Sequence, residues 1–304
     1  MTPRKIGFID HFLDEWHANQ YPVWIADPRH GGRYRVASAW AERDAASGLS
    51  TEAWCAKNGV ERARSLEALI DGSDCLVVLS PDHPERHEEL ADLALRSGKP
   101  VYVDKTFALT RAAAERMFHL AERHGTPMYS SSALRFANEL QELQKNALGL
   151  PQSDVTFASA HGPGVFANYG IHQVEMIVTT MGVGARRAMA HGTPAAPVVV
   201  FEYGDGRTSV VNHLPWGGFA IDAMGRDGKG ASAAITGDFW VGFIDGLLRF
   251  FDTGVSAVPK AETCEAMGMV EAGNRALETP GQWVDVRQPG TAAGDEVRPG
   301  TPHG

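Results

Sequence analysis

Residues 75–87 read Cys75-Leu76-Val77-Val78-Leu79-Ser80-Pro81-Asp82-His83-Pro84-Glu85-Arg86-His87, and residues 98–110 read Gly98-Lys99-Pro100-Val101-Tyr102-Val103-Asp104-Lys105-Thr106-Phe107-Ala108-Leu109-Thr110. Cys75 to Leu79 is an unbroken apolar run, the mark of a strand buried on both faces. Between the two quoted stretches, Glu85 to Arg96 carries Leu90, Leu93 and Leu95 and is helical, with Gly98 as its stop. Val101 to Val103 is the next strand. Strand, turn, helix, strand is a βαβ unit, so the two strands run parallel in a sheet flanked by helices.

The same alternation extends outward on both sides. Lys5 to Ile9 reads as a first strand. Residues 11–25 carry Phe12, Trp16 and Tyr21 at roughly helical spacing, and Pro22 ends that pattern. Arg35 to Trp40 reads as a strand, Thr51 to Asn58 and Leu66 to Ile70 as short helices, Arg111 to His124 as a longer helix and Met128 to Ser130 as a strand. Residues 1–130 therefore form an α/β, Rossmann-like, doubly wound parallel sheet. The pattern then changes. A helix over Leu134 to Leu148 precedes a strand at Val155 to Ala160 and a helix at Tyr169 to Met181. Strand-like runs at Val198 to Phe201, Thr208 to His213 and Phe219 to Met224 are separated by short turns. With late helices at 240–252 and 261–277, residues 131–288 read as an α+β domain with an open-faced, mainly antiparallel sheet. The Gly/Pro/Thr-rich residues 289–304 are expected to be a disordered tail.

The chain has 304 residues, 43% hydrophobic and 21% charged, with a formal net charge of -9. An acidic chain with no Lys/Arg run beyond two residues argues against nucleic acid as a partner. A small-molecule substrate is the expectation. No apolar stretch nears the ~20 residues that span a bilayer, and the N-terminus lacks a signal-peptide pattern. Three cysteines, Cys55, Cys75 and Cys264, match no zinc spacing and suit a reducing, cytoplasmic setting.

Taken together, these motifs resemble the Gfo/Idh/MocA oxidoreductases. The 80–110 block looks like that family's Pro-containing turn, helix with an early His, "Gly-Lys-x-Val-x-x-Glu-Lys-Pro" and downstream "Leu-Thr"; His87 and Lys105 fall on its His and Lys. Asn168-Tyr169-Gly170-Ile171-His172 resembles the family's Asp-x-Gly-x-His, and Gly281 to Val286 its "Gly-x-x-Val-x-Val". The resemblance implies redox chemistry at a carbinol of a sugar or cyclitol, with Lys105, His172 and Asn168 over the reacting carbon. It also implies NAD or NADP held near Ile9, Asp10, Ser80, Pro81 and His83, and a homo-oligomer paired through the open sheet.

The first turn departs from that pattern. A dinucleotide site uses Gly-x-Gly-x-x-Gly so that the backbone meets the pyrophosphate at a helix N-terminus. Here the turn is Asp10-His11-Phe12-Leu13-Asp14-Glu15-Trp16-His17. Phe12 sits where close approach needs no side chain, and Asp10, Asp14 and Glu15 bring negative charge to a dianion's place. Thr106 and Asp104 replace the family's Pro and Glu, and Asn168 replaces its Asp, so His172 lacks a carboxylate to raise its basicity.

Each candidate has a plainer reading beside it. Lys105 ends a strand at the edge where such sheets bind ligands, or is a surface lysine. His172 is an acid–base group or a capping histidine. His161, Tyr169 and Asp104 are expected to line the same cleft. Arg135, at the domain junction, holds an anionic or hydroxylated substrate or forms an interdomain salt bridge. Asp10, His11, Asp14, Glu15 and His17 have metal-ligand chemistry, but acids in a first helical turn also complement the helix dipole, and no metal is expected. Asp10 or His17 could instead bind a substrate hydroxyl. Three functions follow: a nicotinamide-dependent oxidoreductase with an unorthodox cofactor loop; a dinucleotide-independent Lys/His acid–base enzyme, whether epimerase, isomerase or lyase; and a non-catalytic binding or regulatory protein.

Overall fold

The computed structural model describes residues 2–287; the tail expected at 289–304 lies outside the described residues. Strands β1 (Arg4–Asp10), β2 (Tyr34–Ala41), β3 (Glu61–Arg62), β4 (Cys75–Val78), β5 (Val101–Val103) and β6 (Met128–Tyr129) form a sheet of order β3-β2-β1-β4-β5-β6. All its pairings are parallel. Helices α1 (Trp16–Ile25), α2 (Thr51–Asn58), α3 (Leu66–Gly72), α4 (His87–Leu95) and α5 (Arg111–Arg123) make the crossovers. The chain reverses its winding between β1 and β4, so the crevice for ligands opens at the carboxyl ends of those strands. Gly7 in β1 lets α3 lie close on the sheet: a Cβ there would stand 2.7 Å from Leu69 Cδ2.

Two helix predictions change. α1 begins only at Trp16, because residues 11–15 form the turn, and it runs through Pro22 to Ile25. Proline removes one N–H from the ladder; Tyr21 and Ile25, fully buried against β1 and β2, hold the last turn in place. The single helix expected over 134–148 is instead a 3-10 turn (Ala133–Phe136), α6 (Asn138–Glu142) and a π-helical turn (Leu143–Leu148).

The second sheet comprises β7 (Val155–Gly162), β8 (Ala185–Thr193), β9 (Ala196–Tyr203), β10 (Thr208–His213), β11 (Phe219–Gly225), β12 (Gly230–Ile235) and β13 (Val284–Asp285), in the order β12-β11-β7-β10-β9-β8-β13. It is antiparallel except where β10 runs parallel to β7. Along β9 and β10 buried residues (Val199, Phe201; Ser209, Val211) alternate with more exposed ones (Val200, Glu202; Val210, Asn212), the period-2 pattern of a sheet covered on one side. Helices α7 (Phe166–Met181) and α9 (Lys260–Glu278) are the cover, while α8 (Phe239–Thr253) packs Phe243, Leu247 and Phe251 into the core on the α1 side of the parallel sheet.

Arg135 ties the 3-10 turn to that helical cover. Its guanidinium meets Glu175 of α7 at 2.7 Å and Glu262 of α9 at 2.6 Å, all three side chains being nearly excluded from solvent. A buried pair is hard to break from one side, because the partner's charge is then stranded. Arg135→Ala is therefore expected to destabilise the protein by about 3–5 kcal/mol, read as the shift in the midpoint of urea unfolding.

Candidate active site

A cleft of about 320 Å³ lies between the carboxyl end of β5, the N-terminal turns of α1 and α7, and α8. Lys105, Asp104, Asn168, Tyr169 and His172, all expected here from sequence, line it together. Trp16, His17 and Tyr21 of α1 line it as well, with Phe219, Phe239 and Trp240.

Asp104 follows β5 and is buried. It forms a short hydrogen-bonded pair with His17 Nδ1. Its other oxygen accepts from the Lys105 N–H at 2.8 Å and lies 3.2 Å from the Tyr102 hydroxyl. Burial alone would raise this carboxyl, but His17 and Lys105 outweigh it and hold the group below its usual range. His17 therefore has Nδ1 occupied and presents Nε2 to the cleft. Its ring stacks on Tyr21 at 5.2 Å and meets the edge of Trp240.

His172 comes from α7 and is arranged in the same way. Its Nδ1 lies 2.7 Å from the Ser132 hydroxyl. Burial, then the nearby positive charges of Lys105 and His17, push its imidazole down to about 3, so it is neutral at ordinary pH. Ser132 does the orienting that the family pattern assigns to Asp, which here is Asn168. The Lys105 ammonium lies 3.4 Å from the carbonyl of Pro81.

Two residues expected at the site lie elsewhere. Arg135 does not line the cleft, since its guanidinium is committed to Glu175 and Glu262. His161 sits on β7, paired with Ala220 and Asn212, outside the cleft lining. Residues that sequence reading left off the site are Trp16, Tyr21, Phe219, Trp240 and Ser132; His17 was singled out as a possible hydroxyl binder and for its metal-ligand chemistry. The cues were faint. His17 and Tyr21 are one helical turn apart, but their partner Asp104 is 87 residues away from His17 in the chain.

The residues at the first turn do not fit a dinucleotide. The Glu15 carboxylate caps α1, accepting from the N–H of His17 at 2.7 Å and from that of Ala18. Those N–H groups are where a pyrophosphate would dock. Asp10 is buried beside it, with neither oxygen in a hydrogen bond of good geometry. The N–H groups of His11 and Phe12 ease its charge, but burial and Glu15 prevail and push it well above its usual range. The rings of His11, Phe12 and His83 pack together with centroids 5.1 to 5.6 Å apart. His11 also bonds Glu42 at 2.6 Å, and Glu42 pairs with Arg86. This group bridges the crevice from β1 and β2 to the turn after β4. Of the other positions expected near a cofactor, Ile9 is a core residue and Ser80 is buried with its hydroxyl on the His83 carbonyl. Asp14 serves the fold, accepting from Leu49 N at 2.7 Å and Asn19 at 3.1 Å.

Against known proteins, residues 24–131 match the model of the Gfo/Idh/MocA oxidoreductases, described as an oxidoreductase family with an NAD-binding Rossmann fold. Over those residues the parallel-sheet region of this chain is similar to that family. The match begins inside α1, past the altered turn. No curated protein matches the sequence. Solved structures share the whole fold. Apo scyllo-inositol dehydrogenase of Lactobacillus casei superposes with a TM-score of 0.76 at 14% identity, over 94% of this chain and 98% of that one. The WlbA dehydrogenase of Bordetella pertussis, in complex with NADH and UDP-GlcNAcA, gives 0.73 at 14% over 94% and 100%. An oxidoreductase of Agrobacterium radiobacter, in complex with NAD+, L-tartaric acid and magnesium, gives 0.71 at 16% over 94% and 99%. The two-sheet fold described above is thus the fold of these solved structures. Among the described residues no helix is long and apolar enough to cross a membrane.

The Glu15 carboxyl sets a pH dependence. Burial first, and then Asp104, push it up to about 8 against the helix N–H groups, from an ordinary 4.5. The folded state therefore keeps a proton that the unfolded chain releases above 4.5, and this contribution to stability is lost as pH rises to about 8. His172 acts oppositely: the unfolded chain binds its proton below 6.5 and the folded chain only near 3, so stability falls as pH drops through that window. Glu15→Gln is expected to melt like the parent at about pH 5. At about pH 8.5 it should melt roughly 2–4 °C higher, ~1–2 kcal/mol. Equal melting temperatures of the two proteins at both pH values would contradict the burial of this carboxyl group.

Proposed function

We propose that this chain is an acid–base enzyme that moves a proton next to the carbonyl of a small, polyhydroxylated, sugar- or cyclitol-like molecule, giving isomerisation, epimerisation or elimination without a bound dinucleotide. The observation that carries this reading is the capping of α1 by Glu15 beside buried Asp10, while Lys105 and His172 share the cleft that His17, two residues on from Glu15, also lines. The Lys105 ammonium would hold the carbonyl oxygen and stabilise the negative charge that develops there. Neutral His172, aligned by Ser132, would take the proton from the neighbouring carbon through Nε2. Asn168 and Tyr169 offer hydrogen bonds to hydroxyl groups, and the aromatic walls of Trp16, Trp240 and Phe219 suit the apolar face of a ring. The half-exposed face of the second sheet is read as the surface on which copies of the chain pair.

A second reading, nicotinamide-dependent oxidation of a carbinol by the same Lys105 and His172, is favoured by the family match and by relatives solved with NAD+ or NADH.

The test is incubation in D2O with a panel of aldoses, ketohexoses, keto-glycosides and keto-inositols, followed by proton NMR. Loss of a carbon-bound proton signal on at least one member, with no nicotinamide added, is expected. Lys105→Ala should slow it by about 10²- to 10⁴-fold. Turnover only when NAD(P) is supplied would select the second reading, and full activity of Lys105→Ala would remove that residue from both.

A further inference from the structure

The cleft holds a second histidine that the Lys105–His172 reading leaves unused. His17 enters from α1 and His172 from α7, and the two rings have separate sets of neighbours. His17 lies among Trp16, Tyr21 and Trp240; His172 lies between Tyr169 and Phe219. Each has its Nδ1 fixed, His17 by the Asp104 carboxylate and His172 by the Ser132 hydroxyl, so each directs Nε2 to the shared space. Their partners differ in charge. The Asp104 carboxylate only accepts, so His17 Nδ1 carries the hydrogen, whereas the Ser132 hydroxyl can either donate or accept. An anchored Nδ1 leaves the other ring nitrogen as the one placed for proton transfer.

We infer that His17, held by Asp104, is a second acid–base residue working from a different wall than His172, and that the reaction is a two-base epimerisation at the carbon beside a carbonyl. This rests on the proton-transfer reading above. His172 Nε2 takes the proton on one face as the C–H electron pair moves into an enediolate, whose oxygen the Lys105 ammonium holds. His17 Nε2 returns a proton to the same carbon on the other face. The carbonyl re-forms, no oxidant is consumed, and the two histidines finish with their protons exchanged; solvent resets them. In the reverse direction the roles swap. Asp104 is a positioning residue.

The test uses epimeric pairs of ketohexoses and of keto-inositols in D2O. The wild-type protein is expected to put deuterium into the product epimer while the remaining starting epimer stays unlabelled at early times. His17→Gln should lose epimerisation by at least ~100-fold yet still wash out the carbon-bound proton of one epimer, the one facing His172. His172→Gln should do the same for the other epimer. Asp104→Asn, which leaves the His17 ring in place but removes the carboxylate that holds its Nδ1, should follow His17→Gln and not His172→Gln. Melting curves of all variants within a few degrees of the parent establish that they are folded; if His17→Gln is not, Asp104→Asn carries the test. His17→Gln or Asp104→Asn losing exchange on both epimers equally, or on neither, would overturn the two-base assignment while leaving single-base proton transfer intact. Absence of exchange by the wild-type protein on every pair would overturn both.

Discussion

The carboxylate of Asp104 stands at the carboxyl end of β5 with almost no access to water, and the cleft is organised around it. A charge in that position is costly unless it is paired and fully hydrogen-bonded. His17 supplies the pair, the Lys105 backbone and the Tyr102 hydroxyl supply further contacts, and Tyr21 lies 3.4 Å away. Those contacts lock α1 to the strand that carries Lys105. They also set which nitrogen of His17 is free. Burial and the Asp104 charge both keep Tyr21 and Tyr102 protonated, so their hydroxyls remain available as donors.

That lock has a consequence for the other end of the turn. In a doubly wound sheet the first helix offers its N-terminal N–H groups to a phosphate, because four of them lack partners and the helix dipole favours an anion. Here Glu15 fills that role from within the chain, with Asp10 beneath it and the His11–Phe12–His83 group over the strands. The donors an incoming dianion would use are already taken by Glu15, and buried Asp10 leaves it no room there. That helix forms a wall of the cleft, to which it brings Trp16, His17 and Tyr21.

Much of the architecture was readable from periodicity. The apolar run Cys75–Leu79, the Leu90–Leu95 helix and the Gly98-Lys99-Pro100 stop determine a parallel βαβ unit, and β4, α4 and β5 follow from them. The strand at Ala185–Thr193 escaped notice because its inward residues, Ala185, Ala188 and Ala190, are too small to make an apolar signal, and Arg186 and Arg187 interrupt it. The helix expected over 134–148 is broken next to Arg135, whose partners Glu175 and Glu262 are remote in sequence. At the site, Lys105, His172, Asn168, Tyr169 and Asp104 stood out through the family pattern and converge in one cleft. The pairing of His17 with Asp104, and of His172 with Ser132, was not legible, since neither partner lies in the same element and no local spacing connects them.

The central claim is that this fold has given up its dinucleotide. Calorimetric titration of the purified, charcoal-treated protein with NAD+, NADH, NADP+ and NADPH addresses it most directly. The account predicts no saturable heat with any of the four up to about 1 mM, weaker than ~-4 kcal/mol. Saturable binding tighter than roughly 100 μM, about -5.5 kcal/mol, would contradict it.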